Sequence, residues 1–142
     1  MREKLLILLI IIGFVSSCRF LDIIENHYED YEDAIENDFI GNGYMPIDFM
    51  KLSISEIRTK LNIDINESII KVKYSNRADF DSIKNYGLFC DNKFVTPKTF
   101  KLPEWWDYNE DSCLTLCYKD NYGHSYNFGL DTINFVIYGW ND

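Results

Sequence analysis

The chain opens on a basic end and an apolar run. Arg2 and Lys4 precede Leu5 to Val15, an apolar stretch interrupted by Gly13, and Ser16, Ser17 and Cys18 follow. This is the layout of a secretory signal, because the positive end stays cytoplasmic while the apolar segment enters the bilayer. The run is too short to cross about 30 Å of hydrocarbon as a mature helix. After Cys18 the chain turns polar at once.

Further along, the spacing of apolar positions changes from segment to segment. Between Asn26 and Asp38, Tyr28, Tyr31, Ala34 and Ile35 share one helical face among acidic residues. Gly41-Asn42-Gly43 ends that helix. Ser53-Ile54-Ser55-Glu56 reads as a capping box, which predicts a helix from Ile54 to about Leu61 with Ile54, Ile57 and Leu61 buried. Ile69 to Tyr74 alternates and predicts a strand with Ile70, Val72 and Tyr74 inward. Asp79 to Tyr86 predicts a short helix with Phe80 and Ile83 inward, and Leu88 to Val95 an extended segment. Pro97 and Pro103 bracket a loop that leads to Trp105 and Trp106.

The last third predicts a meander of strands over 112–118, 124–130 and 132–140, with a turn at Asp120-Asn121-Tyr122-Gly123. In the first of these, Cys113, Thr115 and Cys117 fall on one face and Leu114, Leu116 and Tyr118 on the other. Helices first and strands later predict an α+β class, with N-terminal helices packed on a C-terminal antiparallel sheet. The expected organisation is a signal peptide over 1–17, a tether over 18–27 and one α+β domain over 28–142.

Val15-Ser16-Ser17-Cys18 resembles the bacterial lipobox. The resemblance implies that the Cys18 thiol receives a diacylglycerol and that cleavage just before Cys18 makes it the first mature residue. Two acyl chains suffice for stable membrane attachment, whereas one is marginal. The localisation expected is the cell envelope, by a lipid anchor. Arg19 stands where an Asp would favour inner-membrane retention in enteric bacteria, so the outer membrane is slightly favoured.

Composition narrows the partners. Without Arg2, Lys4 and Glu3 the mature chain keeps 12 basic and 22 acidic residues, a net charge of −10. Such a body argues against nucleic acid or an anionic lipid surface as direct partner, and permits a cationic one. Ten Tyr and ten Phe serve mainly a core, and the Tyr content also suits a binding face.

With Cys18 lipidated, Cys90, Cys113 and Cys117 remain, an odd number that cannot all pair within one chain. Cys113 and Cys117 are four apart on a strand, about 13 Å between Cα atoms, and a disulfide needs them within about 7 Å. The bridges left open are Cys90–Cys113 and Cys90–Cys117, with three free thiols as the alternative.

Several short segments share a pattern. They are Tyr31-Glu32-Asp33-Ala34, Gly43-Tyr44-Met45-Pro46, Ser53 through Ile57, Asp64-Ile65-Asn66, Pro103-Glu104-Trp105-Trp106 and Tyr138-Gly139-Trp140. Together they resemble the YbbD head domain group of small bacterial envelope proteins. Tyr44 stands for that group's usual Trp, Lys51 or Leu52 for its second Pro, Ser55 for its Ala and Ile65 for its Thr. The resemblance implies an exported, often lipid-anchored α+β domain and brings no activity with it.

Candidate chemistry is sparse. Cys113, Cys117 and His124 lack the paired spacing of a zinc site, and nothing in the sequence places His124 beside either thiol. The acids Glu29, Asp30, Glu32, Asp33, Glu36 and Asp38 lack the ligand spacing of a calcium loop and read as a solvated helix face. No catalytic set, metal or cofactor is expected. Trp105 and Trp106, joined by Tyr44, are the candidate binding surface, since adjacent residues in an extended loop point opposite ways and an exposed Trp is a frequent hot spot. The expected function is a non-enzymatic, membrane-anchored interaction domain. Its partner would be another envelope component or a basic toxin that it neutralises. An envelope hydrolase working through paired carboxylates is the alternative, and would need convergent acids of raised pKa in a pocket.

Overall fold

A computed structural model describes residues 23–37, 39, 45–46, 49, 53–65, 67–86, 88–119, 123 and 125–141. The signal segment, Cys18, Tyr44 and His124 lie outside the described residues.

The described elements are β1 (Ile23–Tyr28), α1 (Tyr31–Glu36), β2 (Ile54–Asn62), β3 (Glu67–Tyr74), α2 (Arg77–Ile83), β4 (Leu88–Phe89), β5 (Leu114–Lys119), β6 (Ser125–Asp131) and β7 (Val136–Asn141). They form one seven-stranded sheet in the order β1-β2-β3-β7-β6-β5-β4. Every neighbouring pair runs antiparallel. β1 to β3 make one meander and β4 to β7 another. The two meet at the centre, where Ile70 of β3 faces Gly139 of β7.

The expected α+β class, with N-terminal helices packed on a C-terminal sheet, is overturned: the fold is mainly β. The first described element is a strand, strands come from both halves of the chain, and the two described helices are short. The helix expected over 26–38 is replaced by β1 up to Tyr28 and by the short α1, capped where Asp30 accepts from the Asp33 amide. The helix expected at Ile54–Leu61 is β2.

A β-bulge explains the second error. Ile54 pairs with Tyr74 and Glu56 with Lys73, so Ser55 is an extra residue. Ile54 and Ile57, three apart, therefore both face the core, and the bulge imitates a helical period. From there the period is two: Ile57, Thr59 and Leu61 are buried while Glu56, Arg58 and Lys60 are part-exposed. The capping-box serine is used elsewhere, since Ser53 donates through both its amide and its hydroxyl to Asp79 of α2.

The sheet buries both faces. On the front, Ile57, Ile70, Val72, Phe128 and Ile137 share a core with Ala34 of α1, Phe80 and Ile83 of α2, and Phe39, Met45 and Phe49. On the rear, Ile69, Val136, Tyr138 and Trp140 lie under Phe94, Phe100 and Trp106 of the 91–112 connection. Gly139 makes the central contact possible, because a Cβ there would stand 2.6 Å from Ile70 Cγ2.

Candidate binding surface

The rear connection is held by a polar clamp. Trp106 is only 8% exposed, and its ring packs 5.3 Å from Phe94 and 5.2 Å from Tyr138. It is a core anchor. Trp105 is half-buried, and its Nε1 donates to Glu25 of β1 at 2.7 Å. Lys71 of β3 donates to the Trp105 carbonyl at 3.2 Å and to Asp107 Oδ1 at 2.6 Å. Tyr138 also donates to that oxygen. Burial works against the Asp107 carboxylate, but the Lys71 and Tyr138 hydrogen bonds outweigh it and hold the carboxyl below its ordinary range. Burial, then the hydrogen bond to Asp107 and the Asp107 charge, push the Tyr138 phenol up.

The uncovered part of the rear face, on β1 to β3, is charged but internally compensated. Glu56 meets Arg58 at 2.6 Å and His27 at 3.3 Å, and Lys60 meets Glu25 at 3.1 Å. Glu25 is held below its ordinary value, first by the Trp105 hydrogen bond and then by Lys60 against a burial penalty. Every described carboxyl with a resolved shift moves down for similar reasons.

The two edges of the sheet differ. β1 is blunted by Glu25, Asn26 and His27, as open edges usually are. β4 presents Leu88 and Phe89, 79% and 59% exposed, with Leu114 of β5 48% exposed nearby. Leu88 lies opposite Cys117 and Phe89 opposite Leu116, so Leu88 faces rearward and Phe89 frontward with Leu114. Between the 89–93 backbone and 113–115 runs an open groove of about 500 Å³ that includes Phe89, Leu114, Asp91 and Glu110.

A disulfide pins this edge. Cys90 is bonded to Cys117, with Cα atoms 5.9 Å apart, and Cys113 is free and half-buried. Asn92 Nδ2 donates to Cys117 Sγ at 3.1 Å and to Asn127 Oδ1 at 2.8 Å. The Leu88–Phe89 edge was not legible in sequence, because two adjacent apolar residues carry no period to show which side meets solvent. The nearest signal is Cys90 directly after them, which ties that segment to β5.

In comparison with known proteins, no family model, curated protein or solved structure matches the chain.

Proposed function

We propose that the chain is a lipid-anchored protein of the bacterial envelope whose β domain is a non-enzymatic binding module. The β4 edge is its contact surface. The occupant of that edge is an extended segment of a protein partner, carrying apolar side chains and basic flanks. One observation carries the site: Leu88, Phe89 and Leu114 stay exposed at the β4 edge, the end of the sheet among the described residues, and a sheet edge can take an added strand with side chains on both faces selecting it. The groove beside them holds Asp91, Lys93 and Glu110, with Lys93 3.9 Å from Glu110, so it is negative by one charge, and the chain has a net charge of −9. Both favour a cationic partner and oppose a second copy of this chain. A secreted basic toxin has this chemistry, so a toxin-neutralising role is the specific form of the proposal.

The anchor rests on Val15-Ser16-Ser17-Cys18. The Cys90–Cys117 bond supports export, because disulfides persist in oxidising compartments.

Two measurements test this. The intact mass of the membrane-extracted protein is expected to equal residues 18–142 plus a diacyl or triacyl group, and a full-length mass overturns the anchor. A photo-crosslinking residue at position 89 is expected to trap a basic extended segment that the same probe at position 27 does not. Equal adducts from both positions, or none from 89, overturn the edge.

A further inference from the structure

We infer that Cys90, Cys113 and Cys117 form an intramolecular thiol–disulfide exchange site, in which Cys90 can bond to either of the two cysteines on the neighbouring strand. The register places them. Leu88 pairs with Cys117 and Phe89 with Leu116, and the Cys90 amide donates to the Thr115 carbonyl at 3.1 Å. Cys90 therefore stands opposite Thr115. Cys113 and Cys117 lie two residues to either side of Thr115, on the same rear face of the sheet. Cys90 is thus diagonal to both, and the observed bond uses one diagonal.

Three further features fit exchange. Cys90 and Cys113 line the same open groove, and Cys113 also packs against the rear core. Along the strand, Cys113 and Cys117 flank Thr115, so their positions lie on different sides of the residue that Cys90 faces. Asn92 already donates to Cys117 Sγ, so the departing thiolate has a hydrogen-bond donor in place.

The step balances without a co-reactant. The Cys113 thiolate attacks Cys90 Sγ, the Cys90–Cys113 bond forms, the Cys90–Cys117 bond breaks, and Cys117 leaves as a thiolate that takes up a proton. Burial, with Asp131 and Asp107, holds the Cys113 thiol up, against the Ser112 side chain and the Asn109 backbone. Asp91, Lys93 and Glu110 surround the groove. Exchange is accordingly slow at neutral pH, and quickens about tenfold per pH unit while the thiol is mostly protonated. Any effect on partner capture rests on the edge proposed above, since Cys90 follows Phe89 directly; the exchange itself does not.

The test uses the full chain, purified without reductant and incubated at pH 7 and pH 9. Free thiols are then alkylated with N-ethylmaleimide, and tandem mass spectrometry assigns bonds and labels. A fraction with Cys90 bonded to Cys113 and Cys117 labelled is expected, forming faster at pH 9. In Cys117→Ser a Cys90–Cys113 bond is expected, while Cys113→Ser should hold Cys90–Cys117 alone. Label confined to Cys113 in the wild type at both pH values overturns the inference, as do two labelled thiols in folded Cys117→Ser. Should Cys117→Ser fail to fold, the wild-type result decides.

Discussion

The Tyr138 hydroxyl donates to Asp107 Oδ1 at 2.7 Å, the same oxygen that receives Lys71. One carboxylate thereby fastens the Trp105–Trp106 turn to two central strands, β3 and β7.

Asp107→Asn should weaken that clamp. The Asp107 side chain is 63% exposed, so solvent screens the pair and the cost should be about 1 kcal/mol. Asp107 is held below its ordinary value of 3.8, so its contribution is present above that value and lost as pH falls through the folded one. Urea melts at pH 7 and pH 3 should show a smaller acid-induced loss of stability in the variant than in the wild type.

Thr59→Val should stabilise the domain. Thr59 Oγ1 is buried and has no hydrogen-bond partner among the described residues. Removing an unpaired hydroxyl at nearly constant shape should gain about 1 kcal/mol. A lower midpoint of urea unfolding for the variant would show that Oγ1 is satisfied in solution.

Gly139→Ala should do the reverse. Its new Cβ would meet Ile70 Cγ2 and, at 3.1 Å, the Phe128 ring. Overpacking between central strands typically costs about 1–3 kcal/mol. A thermal melt within error of the wild type would mean that Ile70 and Phe128 give way freely.

Much of the sheet was legible. The alternation of 69–74 and the face assignment of Cys113 to Tyr118 both matched strands, because period two survives wherever one face is apolar. The inward positions Phe80 and Ile83 were legible for the same kind of reason, a helical period, while the helix itself runs Arg77–Ile83 from an Asn76 cap instead of Asp79 to Tyr86. The first two strands were not. Ser55 as a bulge hides the alternation of β2, and the acids after Tyr28 carry a helical period backward into β1. The candidate surface was legible only in part. Trp106 and Trp105 were picked out by type, but which of them is buried depends on Phe94, Glu25 and Lys71, all distant in sequence.

Cys90→Ser, which abolishes both bonds open to that residue, should lower stability by about 3–4 kcal/mol on the chain-entropy estimate for the loop that Cys90–Cys117 closes. Cys117→Ser should lose less, because Cys113 can take its place. Equal losses in the two variants, by chemical denaturation without reductant, would count against that replacement.

Phe89→Asp should leave stability within about 0.5 kcal/mol of the wild type, since exposed positions rarely matter to folding. It should nevertheless abolish crosslinking to a partner from a probe at position 88. A variant that melts normally and still crosslinks would show that the edge is not the contact.

The central β3–β7 pairing carries a consequence for biogenesis. Its partners, such as Lys73 and Val136, lie far apart along the chain, and contacts of that range form slowly because a long loop must close first. A chain threaded across a membrane from its N-terminus would deliver β1 to β3 well before β7. Until the last strand arrives, the inner edge of β3 and the apolar side chains of Ile69, Ile70 and Val72 stand open. On the proposed export route, this half-sheet is the stage at which an envelope chaperone has most to protect.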